Sequence, residues 1–320
     1  MEGRTERCPR SRAPSHPPAR RAPSPFIAKR SRVRAAMSEL DFRLPDLRFV
    51  PTDAVFPHEY HDLQRTEPLV RRLRESGTLR NPPIVTQVGD GKRVEPRYVV
   101  LDGANRSTAA RAAGWPHLLV QVVRYESPAV ELHTWYHALA ADARDVLEQG
   151  LATIRGLEFR RQDRMHARAM LARREALACV VLNEGEAIVA HGGGTLHERN
   201  ELLNALVHLY QDRLPYTRVT SDSLTHARRE HSEVQALVIF PRFDPAEVID
   251  LASAGEYLPA GVTRHLIRWR ALRVNVPVAL CADTNKSLDE KNAWVETWTS
   301  ERLTKRQVRF YEEPTVLYDE

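Results

Sequence analysis

The stretch YVVLDGANRSTAARAAGW, residues 98–115, constrains the fold more than any other part of the chain. An apolar, β-prone run enters Asp102-Gly103, and an alanine-rich helical run follows and closes at Gly114. A strand that turns on a glycine into a helix leaves the first helical amides without intrahelical partners. Those amides and the positive end of the helix dipole favour an anion. Asn105 or Ser107 can cap them, and Arg106 adds a fork of donors matched to phosphate. The residues alone leave two readings open: a phosphate cradle, or an ordinary capped helix with a surface arginine.

The surrounding sequence repeats the alternation. LRFVPTDAVF predicts a strand and a turn, and RTEPLVRRLRESG a helix with Leu69, Val70 and Leu73 on one face and Gly77 at its end. NPPIVTQV is a strand started by Pro82-Pro83, GDGKRVEP a polar hairpin-like loop, and HLLVQVVRY a further strand. These pieces make a mixed α/β domain over residues 39–127. Residues 128–320 are expected to form a second, C-terminal α/β domain, so the fold class is α+β. AVELHTWYHAL reads as a helix or an extended connector, and RMHARAMLARREALACVVL as a helix followed by a strand. HERNELLNALVHLYQDRL is an amphipathic helix with Leu202, Leu203, Leu206, Leu209 and Tyr210 on one face. VQALVIFPRFDPAEVIDLASAG is a buried strand, a turn capped by Asp244 with Pro245 at the first helical position, and a helix. YLPAGVTRHLIRWRALRVNVPVAL is expected to end in strands.

Charge divides the chain. Residues 1–36 hold ten Lys/Arg and two acids, a net +8 against +5 for the whole chain, so residues 37–320 carry −3. The body lacks the global basic signature of a DNA-binding protein. Six prolines and few apolar residues mark the tail, residues 1–38, as disordered. It is read as a non-structural extension in preference to a nucleic-acid arm or a targeting peptide, with Met37 opening the folded part. No apolar run reaches the length of a membrane span, and no apolar signal region opens the chain. Cys8, Cys179 and Cys281 are too few and too scattered for a disulfide framework or a zinc site, and a cytoplasmic protein is expected. HEYHD, residues 58–62, fails the H-E-x-x-H metal pattern because Asp62 takes the second histidine position. HGGGT, residues 191–195, lacks the lysine of a P-loop and reads as a flexible loop.

Asp102, Gly103, Asn105, Arg106, Ala109 and Gly114 together resemble the phosphate-binding signature of the ParB/sulfiredoxin-like superfamily. Ala104 stands where sulfiredoxins carry their cysteine, and the Gly-Glu-Arg-Arg run of ParB partition proteins is missing. A closer resemblance is to the free L-serine kinase family of siderophore and cysteine biosynthesis, whose members make O-phospho-L-serine. It spans about residues 45–285 and rests on HEYHDLQRTEPLVRRLRESGTLRNPPIV, RYVVLDGANRSTAARAAG, the Trp135 segment and GEYLPAGVTRHLIRWRALRVNVPVAL, in that order.

The resemblance implies a ParB/sulfiredoxin-like first domain that binds nucleotide and a second domain that binds substrate. It implies Glu59 as the base, and Asp102 as the group that orients the hydroxyl or holds Mg2+ through water. Gly103, Asn105, Arg106 and Ser107 would hold the phosphates of ATP or ADP, with Asn105 departing from the family's usual histidine. Trp135, Thr263, Arg264 and His265 would hold free L-serine, whose carboxylate needs a cation or amide donors. A nucleotide-sensing DNA-binding regulator without kinase activity is the rival reading. The basic tail favours it, and the negative body disfavours it. A kinase of another small hydroxylated molecule is the third.

Overall fold

The computed structural model describes residues 44–60, 63–89, 96–140, 143–183, 185–211 and 213–311. The expected disordered tail and the polar loop at 90–95 lie outside the described residues. In chain order the elements are β1 (Asp46–Pro51), a 3-10 turn (Thr52–Ala54), β2 (Val55–Pro57), α1 (Leu63–Ser76), β3 (Thr78–Leu79), β4 (Ile84–Val88), β5 (Arg97–Asp102), α2 (Ala104–Ala112) and β6 (His117–Val123). Then come β7 (Val130–Thr134), β8 (Tyr136–Leu139), α3 (Ala143–Leu151), β9 (Glu158–Asp163), α4 (Arg164–Ala172), β10 (Ala178–Val181), β11 (Glu186–His191) and α5 (Leu196–Gln211). The chain continues through β12 (Tyr216–Val219), α6 (Leu224–Glu230), β13 (Ala236–Ile239), α7 (Pro245–Ser253), β14 (Thr263–Ile267), β15 (Val276–Pro277), α8 (Val278–Ala282) and α9 (Leu288–Thr304). The fold is α+β.

The first sheet runs β1-β6-β4-β5-β2 and mixes parallel with antiparallel pairs. Its interior strand β5, between β4 and β2, is buried on both faces, as an uninterrupted apolar run requires. Tyr98 and Val100 point into one core with Phe49, Leu79, Leu118 and Ala109, and Val99 and Leu101 into another with Phe56, Ile84 and Leu132. The second sheet, β12-β8-β13-β10-β11-β9, is antiparallel throughout. Ala178, Val180 and Val238 pack on one side with Leu147, Leu206 and Leu251, while Cys179, Val181 and Leu237 pack on the other with Leu171 and Leu224. The AVELHTWYHAL stretch is extended, and divides into β7 and β8 around Trp135.

The chain after residue 270 returns to the first sheet. Val274, Val276, Cys281 and Val295 share the core of Phe49, Leu79 and Leu118. Asn292 accepts from Phe49 N at 2.7 Å and donates to Phe49 O at 3.1 Å, which seats α9 on β1. Buried Lys291 donates to the carbonyls of Cys281 (3.2 Å) and Asp283 (2.7 Å) and so ties α9 to the end of α8. The stretch VPVAL does not end in a strand as expected. β15 spans only Val276–Pro277, and Val278 begins the short helix α8.

The two predicted helix starts differ in outcome. Asp244 and Pro245 open α7, with Asp244 N donating to Glu247 Oε2 at 2.8 Å. Neither Asn105 nor Ser107 caps α2: Gly103 is the N-cap, and buried Ser107 donates to Ala104 O at 2.9 Å from inside the first turn. After HGGGT, Glu198 occupies the start of α5, where it accepts from Thr195 N (2.7 Å) and Oγ1 (3.0 Å). A carboxylate already fills that helix end, so it offers nothing to a phosphate.

Candidate active site

β2 and β5 are parallel neighbours, with Pro57 opposite Val100, so both strands end on one edge of the sheet. His58 and Glu59 follow β2, and Asp102 ends β5. Ligands of α/β sheets collect at such carboxyl ends. Past β2 the chain keeps pairing: Leu258 N donates to His58 O at 2.8 Å and Tyr60 N to Leu258 O at 2.9 Å. That pairing lays Glu59 against the loop before β14.

Glu59 is held tightly there. Its Oε2 accepts from Gly261 N at 2.9 Å, and its Oε1 from Thr263 N at 2.5 Å and Thr263 Oγ1 at 2.6 Å. Each carboxylate oxygen has two lone pairs. Oε1 uses both, and Oε2 keeps one open. His58 stands behind this group, its Nδ1 2.5 Å from Val100 O and its Nε2 2.7 Å from Thr263 Oγ1. The bonds to Val100 and Thr263 also account for His58 without a metal.

The loop owes its shape to a buried support. Gly261 has φ +74°, and a Cβ there would lie 2.8 Å from Arg218 Cδ. Gly261 O meets His137 Nε2 at 3.0 Å, and His137 Nδ1 meets Tyr210 Oη at 2.7 Å. Burial lowers the His137 pKa to about 4, although the Gly261 carbonyl opposes the shift. The unfolded chain takes that proton near the ordinary value of about 6.5, so stability should fall as pH drops from about 6.5 to about 4, by about 3 kcal/mol. Urea midpoints between pH 7 and pH 4 test this. They should fall for the native chain and flatten for His137→Gln, and a flat native profile would refute the assignment.

β14 pairs with β7, Thr263 opposite Thr134, which brings Trp135 beside the same loop. Trp135 N donates to Val262 O at 2.8 Å. The ring carries two guanidiniums, Arg264 Cζ at 4.8 Å and Arg218 Cζ at 5.7 Å from its centroid. Among the described residues neither arginine pairs with a carboxylate. His265 turns inward: its Nε2 lies 2.7 Å from Tyr125 Oη and its ring stands edge-on to His58 at 5.2 Å. Burial pushes the His265 pKa well below its ordinary value, with the nearby His58 adding to the effect, and burial raises Tyr125. His265 is therefore a neutral acceptor for the Tyr125 hydroxyl.

At the glycine turn, Arg106 faces the protein. It donates to Asn81 O at 2.6 Å, Pro82 O at 3.3 Å and Asp102 Oδ2 at 3.1 Å, and so staples the turn to the start of β4. Arg270 also pairs with Asp102 Oδ2. Gly103 has φ +91°, and a Cβ there would lie 2.9 Å from Arg106 Nη2. Asn105 has no hydrogen-bond partner among the described residues and remains open to an incoming ligand, as do the first amides of α2. Among the described residues no group of three His, Cys, Asp or Glu could hold a metal ion.

The structure thus gathers Glu59 with Thr263, and Trp135 with Arg264, while Asp102 and Arg106 share the turn at Gly103. Four contributors were not singled out from sequence: His58, His137, Arg218 and Arg270. Arg270 had a signal, the acid-free run RHLIRWRALR. His58 was weighed only as a metal ligand, and the other two carry no local signature.

No protein-family model matches the chain. An ATP-dependent L-serine kinase of Staphylothermus marinus is 25% identical over 232 residues, 72% of this chain and 88% of that protein. The ATP-dependent L-serine kinase SbnI of Staphylococcus aureus is 24% identical over 237 residues, 73% of this chain and 83% of that protein. A free serine kinase solved with AMP superposes with a TM-score of 0.62 at 20% identity, over 75% of this chain and 95% of that one. C-terminally truncated SbnI superposes with a TM-score of 0.61 at 21% identity, over 81% and 97%. The chain is thus similar in sequence to two ATP-dependent L-serine kinases and shares its fold with the two solved structures.

Proposed function

We propose that the protein transfers a phosphoryl group from ATP to the hydroxyl of free L-serine and releases O-phospho-L-serine. The observation that carries this reading is Glu59: a fixed carboxylate with one open lone pair, beside two guanidiniums that no carboxylate among the described residues neutralises. Phosphorylating an alcohol needs a base at the hydroxyl, neutralisation of the phosphates and a grip on the acceptor. Glu59 Oε2 takes the hydroxyl proton. Arg264 and Arg218 bind the serine carboxylate against the Trp135 wall. The open amides of α2, Asn105 and Arg270 bind the donor phosphates, while Arg106 keeps the turn in shape.

Mg2+ fits this site as an ion brought by the nucleotide. Asp102 Oδ2 is occupied by Arg106 and Arg270, so Asp102 Oδ1 is the oxygen that would reach it through water. Bound there, the ion would offset phosphate charge. His265, engaged with Tyr125, shapes the pocket from behind.

The test is direct. The full chain is incubated with L-serine, Mg2+ and either ATP or ADP, and O-phosphoserine is sought by phosphorus NMR and mass spectrometry. Product with ATP supports the reading, and product with ADP alone reassigns the donor. No product with either overturns it. Arg218→Ala and Arg264→Ala should each raise the serine KM about tenfold or more, with a smaller effect on the ATP KM.

A further inference from the structure

The contacts of His58, Thr263 and Glu59 can be audited proton by proton. Val100 O only accepts, so His58 Nδ1 carries a proton. The Thr263 hydroxyl has one proton and two close partners, Glu59 Oε1 at 2.6 Å and His58 Nε2 at 2.7 Å. If both contacts are hydrogen bonds, the group holds one proton more than an ionised Glu59 and a neutral His58 supply. Two arrangements satisfy every bond. In one, His58 is doubly protonated, Nε2 donates to Oγ1, and Oγ1 donates to an ionised Glu59. In the other, a protonated Glu59 donates to Oγ1, Oγ1 donates to Nε2, and His58 is neutral.

Only the first arrangement leaves Glu59 a base. It also fits the surroundings. Gly261 N, Thr263 N and Thr263 Oγ1 all point donors at Glu59, as an ionised carboxylate wants, and His58 Nε2 lies 3.9 Å from its Oε1, within ion-pair reach. Among the described residues His58 also faces His265, edge-on at 5.2 Å, with Tyr125 behind it. His265 is occupied by Tyr125 and stays neutral, so it neither repels a charge on His58 nor competes for the proton.

We propose that His58 is an imidazolium in the working protein and, through the Thr263 hydroxyl, holds Glu59 ionised with a single lone pair aimed at the acceptor. His58 is then a positioning residue: it touches Glu59 through Thr263 and does not meet the substrate. Thr263 Oγ1 spends its proton and one lone pair on this bridge and has no donor left for serine. In the reaction the acceptor O–H bond breaks and its proton goes to Glu59 Oε2, the acceptor oxygen bonds the γ-phosphorus as the bond to ADP breaks and ADP leaves, and His58 and Thr263 keep their protons. The inference rests on the proposed kinase reading for its purpose, but its geometry stands apart from it.

The decisive measurement is nitrogen-15 NMR of histidine-labelled full chain at pH 7, with His58 assigned through its backbone. Both ring nitrogens of His58 should be protonated, and Glu59→Gln should return Nε2 to the unprotonated form. A bare Nε2 in the native chain overturns the proposal, as does a doubly protonated His58 that persists in Glu59→Gln. Kinetics give a second reading. His58→Gln keeps a donor toward Thr263 but removes the charge, and should lower kcat about 10–100-fold while the serine KM moves by less than about threefold. Thr263→Val should lose a similar factor, and Thr263→Ser should recover most of that loss. A change confined to KM would overturn the positioning role. If the native chain makes no O-phosphoserine, the kinase reading falls, and the NMR result still judges His58.

Discussion

Glu59→Gln is expected to lower kcat for serine phosphorylation by about 10²–10⁴-fold, the usual span for losing a general base. The loss should have two parts. An amide has no proton affinity to match a carboxylate, so the acceptor hydroxyl keeps its proton. The amide is also a misfit at its anchor. Glu59 accepts from Gly261 N, Thr263 N and Thr263 Oγ1, so a glutamine NH2 must face one of these donors. A buried donor set against a donor costs about 1–3 kcal/mol, so a lower denaturation midpoint should accompany the lost activity. ATP binding, measured by calorimetry, should change little, because Glu59 bonds to the loop before β14 and not to the glycine turn. Retention of more than about a tenth of native kcat would remove Glu59 from the role of base.

Gly103→Ala should be nearly as damaging, but at the nucleotide. At φ +91° a side chain is strained whatever the space around it, and here there is little space. The added Cβ would sit 2.9–3.0 Å from the Arg106 guanidinium. Arg106 is not a loose end that can swing aside: it is bonded to Asn81 O, Pro82 O and Asp102. Relieving the clash means giving up bonds that hold the turn. ATP affinity should drop about 10–100-fold, with about 1–3 kcal/mol lost from the fold. Both follow from one titration series by calorimetry and one by denaturant. Unaltered ATP affinity would mean that the phosphates bind away from this turn.

The contrast between Arg106 and Arg270 shows how far the residues could be read in one dimension. Arg106 lies in the strand–glycine–helix stretch, and its type and place point to phosphate. In the fold it serves the protein, while Arg270, 164 positions further along, arrives at the same aspartate. Ser107 behaves similarly: at a capping distance in sequence, it is buried within the turn. Trp135 was weighed as core or site wall, and proves to be a partly exposed break between two strands, flanked by arginines. Elements read from local periodicity correspond well, among them α1, β5, α2, α5 and α7, because hydrophobic spacing and end signals act over a few residues. VPVAL failed because an apolar run of that length has no periodicity to separate strand from helix.

The sequence by itself determined that this chain has an α+β fold and that Asp102-Gly103 turns a buried strand into a helix, and its motif order resembled a pattern that pairs Glu59 with the Thr263 stretch. Those facts reside in neighbouring residues and in motif order. Only the tertiary structure decided which lone pair of Glu59 is open, that Thr263 faces His58 and Glu59, and that His137 and Tyr210 prop the Gly261 loop from below. These depend on strand pairing across about 200 residues of chain, where a hydrogen bond forms or fails over a few tenths of an ångström. No local pattern carries that information, because it arises only when the parallel pair of β2 and β5 and the antiparallel pair of β7 and β14 are both in register.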